Sequence, residues 1–162
     1  WFNGGYSASF NGTVLTIMPT YTITGSALTS AKSAYNAKVN ELTNGLGGKS
    51  DYEKSKILHD RLIDTATFTS TSNDQNAYGA LVEGKAVCNG YARAYQHLMN
   101  TVGVPTWFVR GTSINPTTNT PIAHAWNIAK INGNWYYTDV TWDDQNQYTF
   151  YEYFNICFGF YQ

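Results

Sequence analysis

Charge is scarce in this chain. Only 13% of its residues are Asp, Glu, Lys or Arg, ten basic against eleven acidic for a formal net charge of −1. No stripe of Lys or Arg is present to follow a phosphate backbone, which excludes nucleic acid as a partner. Long apolar runs are missing as well. Apolar residues reach 43% but are interspersed, far short of the roughly 18 consecutive residues of a membrane span. Cysteine is reduced to two, Cys88 and Cys157, so no disulfide framework is available and at most one bridge could form. The three histidines, His59, His97 and His124, fall on separate segments and make no metal-ligand spacing with cysteine or carboxylate. Neither a metal nor another cofactor is expected. An initiator Met and a charged-then-apolar leader are also lacking, so the chain is expected to begin inside a longer or processed product.

What remains is uncharged and aromatic. Thirteen Tyr and five Trp, with abundant Ser, Thr and Asn, suit an exported bacterial surface protein. The length of 162 residues fits one domain with one core.

Residues 1–24 read as an extension or the end of a preceding module. Their alternation at Thr13-Val14-Leu15-Thr16-Ile17, ahead of Pro19, predicts one strand entering a turn. Residues 25–162 form the main domain. Leu28, Ala31, Tyr35, Val39 and Leu42 share one helix face, which ends at Gly45. Ser50 and Glu53 are spaced as a capping box before a second helix carrying Ile57, Leu58 and Leu62 to about Asp64. After Cys88, the positions Tyr91, Ala94, Tyr95, Leu98 and Val102 line a third helix that ends by Gly103 and Pro105. Strands follow at Thr106–Arg110, Ala123–Ile131 and Asn134–Trp142, with a polar loop at Thr112–Thr120 and a tight hairpin turn at Asn132-Gly133. The fold class is α+β.

Cys88 therefore opens a helix. Unpaired N–H groups and the positive dipole end there lower a thiol's pKa, and the thiolate is cysteine's reactive form. The same N–H groups can receive the oxyanion that develops when a thiolate adds to an amide. Asn76 and Tyr78 are candidates for a second donor.

The Asn132-Gly133 turn fixes the register of the hairpin. Ile131 pairs with Asn134, and counting outward sets His124 opposite Thr141 and on one face with Trp126, Asp139 and Tyr137. Asp139 is then a diagonal neighbour of His124, at a backbone separation of roughly 7–8 Å that two side chains can close. Asp143 occupies the opposite diagonal if the strand continues. Asp139, inside the strand, is the preferred orienter of His124, and His124 is the base for Cys88. His59 and His97 read as structural, and Cys157 as a small buried apolar residue. Trp107, Trp135 and Trp142 read as core. Trp126, on the His124 face, borders the cleft.

Three blocks carry a resemblance: Gly84-Lys85-Ala86-Val87-Cys88-Asn89-Gly90-Tyr91-Ala92, then His124-Ala125-Trp126-Asn127, then Trp135-Tyr136-Tyr137-Thr138-Asp139-Val140-Thr141-Trp142-Asp143. In this order they resemble the bacterial transglutaminase-like family, over roughly residues 52–145. The resemblance implies a papain-like α+β core with the nucleophile helix packed on an antiparallel sheet. It also implies Cys88 as nucleophile, His124 as base and Asp139 as third member. Animal transglutaminases place Gln and Trp beside the nucleophile, whereas Val87 and Asn89 stand here. The family includes cross-linking enzymes, amide hydrolases, peptidases and inactive members, so fold leaves the reaction open. The expected activity is cysteine-dependent acyl transfer on a peptide or glutamine amide, with a protein or peptide substrate. The alternative is a non-catalytic module that binds peptide or cell wall.

Overall fold

The computed structural model describes residues 3–115, 117–145 and 148–157. Trp1, where the chain opens, and Pro116, in the polar loop before the His124 strand, lie outside the described residues.

The first segment is a hairpin rather than one strand. β1 (Asn3–Phe10) and β2 (Leu15–Tyr21) pair antiparallel from Asn3↔Tyr21 to Phe10↔Leu15. Pro19 therefore lies within β2, tolerated because a two-stranded ribbon consists only of edges. Every side chain from Tyr6 to Thr22 is exposed.

Three helices then build the core. α1 (Gly25–Thr43) buries Ala31, Tyr35, Val39 and Leu42, the face set by its three-and-four spacing. α2 (Asp51–Thr65) starts on a complete capping box: Glu53 N–H donates to Ser50 Oγ, and Ser50 N–H donates to the Glu53 carboxylate at 2.9 Å. After it, β3 (Thr67–Phe68) pairs parallel with β4 (Lys85–Ala86), and between them Gly79–Glu83 form a π-helical turn. α3 (Cys88–Thr101) begins immediately after β4 and buries Tyr91, Ala94, Tyr95 and Leu98 against α1 and α2.

The sheet runs β5 (Thr106–Ile114), β6 (Pro121–Ile131), β7 (Asn134–Thr138) and β8 (Ile156–Cys157), in that order and antiparallel throughout. β5 reaches four residues beyond the expected strand, because Thr112–Ile114 pair with Pro121–Ala123 instead of looping. The β6–β7 turn is as expected: Ile131 pairs with Asn134, and Asn132 and Gly133 both take positive φ, 49° and 89°. Ala125, Asn127, Ala129 and Ile131 of β6 are buried on the helix side. Asn127 Nδ2 ties the strand to α3 through the Ala92 carbonyl at 2.9 Å and to β5 through that of Trp107 at 3.2 Å.

The strand expected over Asn134–Trp142 stops at Thr138. Asp139 is not a strand residue but the N-cap of a single helical turn, α4 (Val140–Asp143), and its Oδ1 accepts the N–H groups of Thr141 and Trp142 at 3.1 and 3.2 Å. The side chain offers the backbone a local partner that competes with the ladder, and the ladder ends. Cys157, expected in the interior, is exposed on the short edge strand β8, and Trp107 and Trp135 are exposed rather than core, at 63% and 37%.

Candidate active site

Cys88 is the first residue of α3 and half-buried, with Val87 as the extended N-cap. Gly90 allows this placement. A Cβ there would stand 2.4 Å from the Asp74 carbonyl oxygen and 2.7 Å from the Ala86 Cβ, so the first turn of α3 can seat against the 74–76 segment only without a side chain. Val87 N–H donates to that same Asp74 carbonyl at 3.1 Å.

β7 ends opposite Asn127, which leaves the β7-side edge of β6 open at Ala125. The Ala125 N–H reaches the Cys88 thiol from this edge, and the Asn89 N–H reaches it from within α3. Burial pushes the thiol up. A hydrogen bond and charge interaction with His124, joined by the two N–H groups, outweigh that effect and hold Cys88 below the ordinary thiol range.

His124 is buried on β6, and its Nε2 donates to Asp139 Oδ2 at 2.5 Å. With Nε2 so occupied, Nδ1 is the nitrogen left for Cys88. Burial lowers the imidazole's affinity for a second proton, but Asp139 first and Cys88 after it reverse the sign and raise its pKa to about 9. The two shifts run in opposite senses, each toward the charged form of its group. Burial raises the Asp139 carboxyl, against the stabilising His124 ring and the backbone N–H of Trp142.

The residues expected to cooperate from β6 and the following segment do meet, through a geometry other than the expected ladder. Asp143, the alternative orienter, does not reach His124. It is fully buried at the end of α4, where Oδ2 pairs with His59 Nε2 and Oδ1 accepts the Tyr153 N–H, both at 3.0 Å. His59, also fully buried, places its Nδ1 3.0 Å from Asp60 Oδ1. It links α2 to α4, the structural part expected of it. Asn76 Oδ1 accepts the N–H groups of Tyr78 and Gly79 at 3.0 and 3.1 Å, and the Tyr78 ring packs at the rim of the core. Gln75 meets the residue that follows Cys88, its Oε1 accepting Asn89 Nδ2 at 2.6 Å.

Sequence reasoning missed Trp142 and Tyr153. The Trp142 indole lies 4.4 Å from the His124 ring at an interplanar angle of 14°, closer than Trp126 at 6.0 Å and 24°. Tyr153 meets Trp142 edge-on at 4.9 Å. With Tyr137 these rings line a pocket of about 160 Å³ on the sheet face of His124. Among the described residues, no three His, Cys, Asp or Glu side chains group as metal ligands would, and no helix is long and apolar enough to cross a membrane.

The transglutaminase-like superfamily model matches residues 39–140, the span from α1 to the start of α4. The chain belongs to the transglutaminase-like superfamily. A transglutaminase crystal structure superposes with a TM-score of 0.57 at 13% identity, covering 86% of this chain and 44% of the other. A candidate cysteine protease from Cytophaga hutchinsonii superposes at 0.53 with 20% identity, covering 74% and 43%. Both show the α+β fold, and this chain spans less than half the length of either. No functionally curated protein matches it in sequence.

Proposed function

We propose that this transglutaminase-like domain is a thiol acyltransferase or hydrolase that acts on peptide or glutamine side-chain amides, with Cys88 as nucleophile, His124 as acid and base, and Asp139 as orienter of His124. The observation that carries this reading is the connected arrangement of three groups: Cys88 opens α3 beside His124, and His124 Nε2 pairs with Asp139 Oδ2 at 2.5 Å, in keeping with a Cys88 pKa held down and a His124 pKa raised to about 9. In the reaction, the Cys88 thiolate adds to the amide carbonyl carbon. The carbonyl electron pair moves to oxygen, to be received by N–H groups at the start of α3. On collapse the C–N bond breaks, His124 Nδ1–H protonates the leaving amine, and an acyl-thioester remains on Cys88. Neutral His124 then takes a proton from water or from an acceptor amine, which attacks the thioester and restores the thiolate. A second oxyanion donor from Asn76 or Tyr78 is part of the proposal; only the backbone of the 74–76 segment packs on Gly90, two residues after Cys88. We place the catalytic unit in residues 25–162, on an exported cell-surface protein with a protein or peptide substrate, in keeping with the aromatic, charge-poor composition.

Intact-mass detection after brief exposure to glutamine-containing peptides and to activated acyl esters tests the reading. The expected result is an adduct of one acyl group on Cys88, discharged by water or added amine and missing in Cys88→Ala. A domain that binds peptides but forms no adduct would be a binding module.

A further inference from the structure

We propose that Trp142 is a positioning residue for His124: its indole face keeps the imidazole in plane between Cys88 and Asp139 and favours the ring's charged form. This rests on the ion-pair reading above and adds a residue to it. Trp142 touches both other parts of the device. Its backbone N–H donates to Asp139 Oδ1 at 3.2 Å, and its indole lies nearly parallel to the His124 ring at 4.4 Å. One residue on one helical turn thereby fixes the Asp139 carboxylate through its main chain and the His124 imidazole through its side chain. The indole is braced in turn. Tyr153 meets it edge-on at 4.9 Å, and the segment carrying Tyr153 is held by Asp139 N–H to the Tyr153 carbonyl at 2.9 Å and by Tyr153 N–H to Asp143 Oδ1 at 3.0 Å.

An aromatic face within about 6 Å attracts a cation and gives a neutral ring much less. The stack therefore shifts the balance from thiol and imidazole toward thiolate and imidazolium. The charged and titratable groups around the ring are Cys88 on α3, Asp139 at the head of α4, and the phenols of Tyr137 and Tyr153, with Asp143 acting on Asp139 from the end of the turn.

The test follows alkylation of Cys88 by iodoacetamide across pH, read by mass spectrometry. Trp142→Leu is expected to move the onset of reactivity upward by about half to one and a half pH units, and Trp142→Phe to recover most of that shift. Progressively fluorinated tryptophans placed at 142 keep the shape while draining the ring face of negative charge. They are expected to raise the onset stepwise, and they decide the matter if Trp142→Leu does not fold. An onset unmoved along the fluorinated series would overturn the role of Trp142 while leaving the Cys88–His124 pair intact. Wild-type Cys88 reacting as an ordinary thiol would instead remove the pair, and this inference with it.

Discussion

Asp139 and Asp143 bracket one helical turn, yet their carboxylates hold different histidines: Asp139 Oδ2 takes His124 Nε2 at 2.5 Å, and Asp143 Oδ2 takes His59 Nε2 at 3.0 Å. α4 is thus clamped at both ends. One end holds His124, and the other is locked into the interior beside α2.

The two carboxylates should separate cleanly on mutation. Asp139→Asn removes the charge that favours the His124 imidazolium, so the onset of Cys88 alkylation is expected to rise by about one pH unit or more. Asp143→Asn keeps an acceptor for Tyr153 N–H and leaves that onset where it is in the wild type. Equal shifts in the two variants would contradict the division of roles.

Stability should show the reverse order. Asp143→Ala leaves His59 Nε2 buried without its acceptor, with Asp60 still at Nδ1, a loss of about 1–3 kcal/mol by the usual cost of an unsatisfied buried group. Urea unfolding measures this. His59→Ala is expected to fall in the same range, and the double variant to cost less than the two singles together.

At Gly90 the expectation is steric. Gly90→Ala sets a Cβ against the Asp74 carbonyl and Ala86, so either the 74–76 segment or the first turn of α3 must shift. The expected penalty is about 1–3 kcal/mol. Slower alkylation of Cys88 should accompany it, because the N–H groups around the thiol move with that turn.

The fold's pH dependence carries a sign that can be checked. The folded pKa of His124, about 9, lies above the ordinary 6.5. Its pairing therefore stabilises the protein fully below pH 6.5 and is lost as pH rises through 9. Cys88 titrates in the opposite sense, so the comparison belongs in a Cys88→Ala background, with and without His124→Gln. The difference in melting temperature between the two should shrink as pH climbs above 6.5, and should vanish before pH 9 because the Cys88 contribution to the His124 pKa is gone in this background.

Much of this architecture is written locally. The three-and-four spacing of α1, the Ser50–Glu53 capping box and the Asn132-Gly133 turn all act through neighbours in the chain, and each is observed as expected. The register that follows from the turn is what brought His124 and Asp139 into one reading. The expected strand runs past Thr138 because every residue of Trp135–Trp142 except Asp139 is strand-like, and the capping of α4 by Asp139 is a choice between two backbone partners that periodicity does not report. That choice had consequences. In an extended strand Trp142 would face away from His124 and Asp143 toward it, whereas one helical turn exchanges them. Tyr153 depends on a return of the chain after α4, and no local signal announces it. Asp139 followed by Thr141 and Trp142, an N-cap spacing, was the available clue.

Whether His124 holds Cys88 as a thiolate is decided by iodoacetamide labelling of the folded domain across pH, with the exposed Cys157 as internal control. Cys88 is expected to label rapidly well below the pH at which Cys157 begins to react, and His124→Ala to abolish the difference. Parallel labelling of the two cysteines, unchanged by His124→Ala, would contradict it.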